Sequence, residues 1–285
     1  MRLITALFCA CAMTAAQAQE SRIISADGAI TETIIVLGAG ELLAGVDTTS
    51  HYPPEAIAKL PKVGYLRALP VEGVLSLRPT RLITTEEAGP RQTLDRIAAA
   101  GVDVVQLPVA RDVASALARI RRVGELVDRE AQADNLTRQI ADEIETLKQD
   151  MAGKPRARVL ILLAAGDHGV MLAGKDTAAH ALLQSLGLQS ALSDVSGYKP
   201  ASREALLASD PDAIVIAEAR PGQFRQEEWP ELTQLRAWKH GNRVTANAMM
   251  LLGFGPRLAE ALQTVAATVP DETALSDAGP GAHAH

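Results

Sequence analysis

Apolar positions along this chain fall into two alternating rhythms. Short β-branched runs at residues 22–26, 43–47, 81–85 and 102–107 read as strands. Between them, patterns of helical period cover residues 31–37, 72–77 and 92–100, the last closed by Gly101 as a C-terminal cap. The run at 102–107 is taken as a strand covered on both faces, as in a parallel sheet. From about residue 112 the rhythm changes. Residues 113–151 hold almost no Gly or Pro, and predict one helix ending near Gly124 and a long one from about Arg129 to Met151. In the long helix Leu136, Ile140, Ile144 and Leu147 recur at helical spacing with charges opposite them. Gly153, Lys154 and Pro155 stop it, and a second βα series begins. Its strands are expected at 158–163, 213–217 and 243–246, and its helices at 177–185 and 256–269.

This order predicts an α/β protein: two Rossmann-like α/β lobes joined by a single long backbone helix, with a ligand cleft between the lobes. The expected divisions are an N-terminal lobe over 19–127, the linking helix over 128–152, a C-terminal lobe over 153–269 and a disordered tail over 270–285. The lobes also share a local pattern. Glu72 and Glu204 each open a short helix, with Pro79 and Pro211 seven residues on and a buried strand just beyond. A glutamate in a first helical turn complements the macrodipole, which is one account of both. Their equivalent places on two lobes allow a paired surface role as the other.

The N-terminus changes the compartment. Arg2 precedes an apolar run from Leu3 to about Ala16, and Ala16-Gln17-Ala18 has the form of an export cleavage site. Residues 1–18 therefore read as a secretory signal peptide, the run being shorter than the ~20 residues of a membrane span. Cys9 and Cys11 both lie inside it, and neither follows the pattern that precedes a lipidated cysteine. The mature chain then has no cysteine, which excludes disulfides, thiolate metal sites and cysteine nucleophiles. Its roughly 265 residues suffice for a large core. With a net charge of −6, nucleic acid and anionic membrane surfaces are poor partners.

Few motifs carry chemistry. Gly38, Gly40 and Gly45 mimic a dinucleotide fingerprint, but they follow a helix and lead into a strand, the reverse of what pyrophosphate binding requires. No phosphate-cradling loop, metalloprotease helix or serine-nucleophile elbow is present. The histidines of the mature chain (His51, His168, His180, His240, His283 and His285) form no close ligand pair before the tail. His168, in a Gly-flanked loop after a buried strand, and His51, beside Tyr52 and Pro53, are candidates to face a ligand.

The strongest signal is the segment Val63-Gly64-Tyr65-Leu66-Arg67-Ala68-Leu69. It sets a phenol and a guanidinium two residues apart in a Gly/Pro-bounded loop. Phenols ordinarily ionise near pH ~10, but a hard ferric ion ionises them and a neighbouring cation favours the anion. Tyr65 with Arg67 is thus a candidate ferric-phenolate site, and tyrosine is an axial ligand of haem iron in some proteins. A loop tyrosine that merely packs its ring would look the same.

These segments together resemble the periplasmic haem-binding proteins of bacterial haem-uptake ABC transporters, within the superfamily that also binds cobalamin and ferric siderophores. The resemblance covers residues 22–269. It rests first on residues 63–77, then on Leu172-Ala173-Gly174-Lys175-Asp176-Thr177-Ala178-Ala179 and Gly253-Phe254-Gly255-Pro256-Arg257. It implies a monomeric, periplasmic, non-enzymatic carrier of haem that serves an inner-membrane permease downstream of an outer-membrane uptake system. In such proteins the matching tyrosine, here Tyr65, is the axial ligand of ferric haem, and Arg67 lies near the phenolate or a propionate. The paired glutamates, here Glu72 and Glu204, dock to basic residues of the permease. Some relatives add a histidine ligand from the second lobe; His168 falls about three residues later than that position. A siderophore or cobalamin carrier of the same fold is the nearest alternative. A secreted haem-processing enzyme is a remote one, lacking any acid/base set of suitable spacing.

Overall fold

The computed structural model describes residues 21–154, 156–164, 169–192 and 194–271. The export segment at 1–18, His168, His283 and His285 lie outside the described residues. The first half alternates strands and helices: β1 (Ile23–Ala26), α1 (Gly28–Val36), β2 (Leu43–Val46), α2 (Pro54–Ile57), α3 (Val71–Ser76), β3 (Arg81–Thr85), α4 (Arg91–Ala99), β4 (Asp103–Leu107). Two helices follow, α5 (Val113–Leu126) and α6 (Glu130–Met151). The second half runs β5 (Arg158–Ala164), β6 (Val170–Ala173), α7 (Ala178–Ser185), β7 (Gln189–Ser190), β8 (Tyr198–Pro200), α8 (Arg203–Ser209), β9 (Ala213–Glu218), α9 (Arg236–Lys239), β10 (Arg243–Asn247), α10 (Ala248–Leu252) and α11 (Leu258–Ala266).

The first sheet is parallel throughout, in the order β2-β1-β3-β4. Helix α1 starts where Asp27 accepts the N–H groups of Ala29 and Ile30. Helix α5 starts at a reciprocal box between Asp112 and Ser115. The expectation that residues 102–107 are covered on both faces holds: Val102 and Val104 pack into the cluster under Val74, Leu94 and Ile97, while Val105 and Leu107 join the main core. β4 is the edge strand of its sheet, and there Asp103 and Gln106, one on each face, are exposed.

The second sheet, β10-β9-β5-β6-β8, is parallel over β10, β9 and β5, with β7 paired to β5. Strand β6 turns back antiparallel to β5 and to β8. The sequence did not predict β6–β8, because runs of two to four residues are too short for a period to show.

Helix α6 packs on α5 of the first half and α11 of the second. Its buried line is Ala133, Thr137, Ile140 and Ile144, while Leu136 and Leu147 flank it half-buried. The largest apolar cluster crosses from Ile23 and Ile34, through Ile120 and Ile140, to Val215 and Leu262, so both lobes share one core at their base. Separate clusters fill the outer face of each sheet, one under Val74, Leu94 and Ile97, the other under Leu206, Leu232 and Trp238. Among the described residues no helix is long and apolar enough to cross a membrane.

Candidate functional site

Because the first sheet is parallel, the loops leaving its strands gather along one edge, where α/β proteins meet ligands. The loop after β2 carries Asp47, His51, Lys62, Tyr65 and Arg67; those after β3 and β4 carry Glu87 and Arg111. The Tyr65 segment is fastened on both sides. Val63 N–H donates to the Val46 carbonyl at 2.9 Å and Thr48 N–H to the Gly64 carbonyl at 2.8 Å. On the far side, Gly89 N–H reaches the Leu66 carbonyl and Leu69 N–H the Gly89 carbonyl, each at 3.0 Å. Val63, Leu66 and Leu69 are buried, which leaves Tyr65 and Arg67 pointing outward. Gly64 is required: its φ is +110°, and a Cβ there would stand 2.8 Å from Pro70 Cδ. The result is a phenol held 44% exposed on an ordered loop, an unusual setting for a tyrosine with nothing to bind.

Arg67 does not bond the Tyr65 hydroxyl; it hydrogen-bonds Glu87. Glu87 also accepts from Arg111 at 3.0 Å. Burial works against the charge of Arg67, but the Glu87 bond, with the neighbouring Glu87, Tyr65 and Tyr198, holds it more firmly charged than usual. Tyr198 belongs to the second lobe. Burial raises its pKa above 10.0, against the nearby charge of Arg111 and contacts with the Ala179 backbone and Thr177 hydroxyl, so it is a neutral phenol. Its position depends on Gly174, where a Cβ would fall 2.1 Å from the Val195 carbonyl oxygen and push the β6–β8 connections apart. Thr177 caps α7 by accepting His180 N–H at 3.1 Å and donates to the Gly174 carbonyl at 2.7 Å.

Further along the same edge, Lys62 Nζ donates to the Ser50 carbonyl at 2.5 Å. His51 is held below its ordinary pKa by burial and by the positive charges of Lys62 and Arg220, the latter from the second lobe. It is therefore a neutral imidazole at pH 7. Asp47, fully buried on the same loop, is pushed up by burial and by Asp27, against bonds from Thr49 and Ser50. The cations of these facing surfaces fall in two groups, Lys62 and Arg220 acting on His51, and Arg67 and Arg111 on the half-buried carboxylate of Glu87, in a chain of net charge −6. Two surface hollows of about 370 and 410 Å³ lie elsewhere, at Leu42, Thr80 and Leu126 and at Phe224, Trp238 and Arg243, and neither meets Tyr65. The ligand-type groups sit on the open faces of the lobes.

Glu72 and Glu204 occupy the same place, the second residue of α3 and of α8, and both are exposed. Sequence reasoning missed Tyr198, Arg111, Glu87 and Arg220. One signal was available for the first: the chain has three tyrosines, and all three, Tyr52, Tyr65 and Tyr198, stand where the lobes meet.

Two α/β lobes presenting such side chains to each other define a ligand-capturing protein. The chain belongs to the periplasmic binding protein family, which it matches over residues 23–249, a family of transport proteins and not of enzymes. Its structure is similar to that of the periplasmic heme-binding protein RhuT from Roseiflexus sp. RS-1 in apo form (32% identity, 88% of this chain, 98% of that one, TM-score 0.79). It is likewise similar to the periplasmic heme-binding protein BhuT in complex with two hemes (34% identity, 87% and 97%, TM-score 0.76). In sequence it is 27% identical to a vitamin B12-binding protein of Pectobacterium carotovorum, over 92% of each chain.

Proposed function

We propose that this protein captures ferric haem in the periplasm and delivers it to an inner-membrane ABC permease. The observation that carries this reading is Tyr65, an exposed phenol on a fastened loop beside Arg67. A phenolate is a hard anionic donor suited to Fe(III). The similarity to solved heme-binding proteins supports it. The basic rim supports it against the cobalamin alternative, since haem carries two carboxylates and cobalamin carries amides in their place. Residues 1–18 export the chain and are removed. The lobes, 19–127 and 153–269, are bridged by 128–152 and work as a monomer, fed by an outer-membrane haem-uptake system. Tyr65 is the axial ligand, Arg67 stabilises its anion, and His51 and His168 are the candidate imidazoles to face the ligand. Glu72 and Glu204 are the permease contacts.

Titration of the mature protein with ferric haem and, separately, with cyanocobalamin tests the proposal. The expected result is saturable growth of a Soret band and no response to cyanocobalamin. Saturable cyanocobalamin binding with no haem spectrum would overturn it.

A further inference from the structure

Glu87 is shared by two guanidiniums that arrive on different loops. Its Oε2 accepts from Arg67, on the loop after β2, and its Oε1 accepts from Arg111 at 3.0 Å, on the loop before α5. Arg111 is itself placed by backbone bonds: its N–H and that of Asp112 donate to Ser115 Oγ, each at 3.2 Å, within the box that starts α5. Both guanidiniums act on Tyr198 of the opposite lobe, so the pair belongs to the space between the lobes. One carboxylate between two arginines leaves a surplus positive charge. The side chains of Arg67, Glu87 and Arg111 are 57, 34 and 44% exposed, so neither ion pair is locked by burial, and solvent-exposed pairs of this kind exchange partners at little cost.

A carboxylate seated between two guanidinium forks marks the kind of group those forks hold best, because the fork matches the two oxygens of a carboxylate. We propose that Arg111 and Glu87 form a carboxylate-recognition element. A carboxylate of the incoming ligand takes the place of Glu87 on Arg111, while Glu87 stays with Arg67 and keeps that guanidinium beside Tyr65. Glu87 then acts as a built-in competitor, which a ligand carboxylate displaces and a ligand of neutral amides does not. The element selects on the ligand's periphery and is separate from iron ligation at Tyr65. It rests on the haem reading, under which the recognised group is one of the two propionates.

Ferric haem and its dimethyl ester, which has the same iron and ring and no free carboxylate, separate the two contributions. Both are titrated into the wild-type mature protein and into Arg111→Gln, Arg111→Lys and Glu87→Gln. The ratio of haem affinity to ester affinity should fall about tenfold in Arg111→Gln, the effect of one lost charge-assisted bond to a carboxylate. Arg111→Lys should recover part of it, and Glu87→Gln should raise the ratio by removing the competitor. An unchanged ratio in both Arg111→Gln and Glu87→Gln overturns the proposal, as does an equal loss for haem and ester, which would mark a merely structural arginine. If wild-type protein binds neither ligand, the haem reading falls and the proposal with it.

Discussion

Arg257, from the second lobe, grips Glu32 on α1 of the first, across 225 residues of sequence. The contact is bidentate, at 2.6 and 3.0 Å, and the two side chains are only 17 and 4% exposed. The same guanidinium lies 3.9 Å over the ring of Tyr52. Arg119 reaches the other way, from α5 to the carbonyls of Gly253 and Phe254 at 2.6 and 3.0 Å. Two arginines, Arg119 buried and Arg257 half-buried, thus cross the junction in opposite directions, beside the shared core. This base resists spreading, and under the proposed function ligand release would then fall to contacts made from outside.

Arg257→Ala should destabilise the protein by about 3 kcal/mol, because it leaves a buried carboxylate without its cation. Burial already raises the pKa of Glu32 despite Arg257. Removing the arginine raises it further, so the destabilisation is largest at neutral pH and shrinks as acid protonates Glu32. Adding Glu32→Gln to Arg257→Ala should restore part of the loss at pH 7. Urea melts at pH 5 and pH 7 check this; a loss within 0.5 kcal/mol of zero at both would contradict it.

Asp47 gives a second pH dependence. It is fully buried, accepting from Thr49 N–H at 3.1 Å and from the Thr49 and Ser50 hydroxyls, each at 2.9 Å. Burial nevertheless raises its pKa from 3.8. A group raised in the folded state contributes stability below its unfolded pKa and loses it as pH climbs through the folded value. Asp47→Asn keeps an acceptor and removes the charge. Its stability relative to wild type should therefore improve steadily from pH 4 to pH 7, and a difference constant with pH would contradict the assignment.

Much of this was legible in the sequence, for physical reasons. The strands of the sheet interiors, such as 158–164 and 213–218, are long apolar runs, and α6 shows its stripe over 22 residues. Tyr65 and Arg67 were legible because their chemistry and their Gly64 turn lie in one short segment. Glu87, Arg111 and Tyr198 were not, since each is an ordinary polar residue until three loops from two lobes converge. The bracing of the junction was hidden for the same reason: Glu32 sits within an apolar helix and carries no sign of its distant partner. The covered faces of β4 were legible in its valines, while its place at the sheet edge, where Asp103 and Gln106 are exposed, was not.

Glu72→Lys with Glu204→Lys should leave haem binding intact and abolish transport in vesicles containing the cognate permease. Both carboxylates stand at the second position of a short helix on their own lobes, exposed and away from Tyr65. Charges of this kind set encounter and register with a partner, and reversal converts attraction to repulsion. Transport at the wild-type rate by the double variant would reduce both residues to helix-start charges.

The most direct measurement is the optical spectrum of Tyr65→Phe titrated with ferric haem. The substitution keeps the ring and removes one oxygen, so the fastened loop stays as it is. Losing a direct metal ligand should exceed the effect of losing a supporting partner, so affinity should fall by about a hundredfold or more. The charge-transfer bands of a ferric phenolate, expected in the wild-type complex, should vanish with it. A Tyr65→Phe complex with the wild-type spectrum and wild-type affinity would contradict the account at its centre.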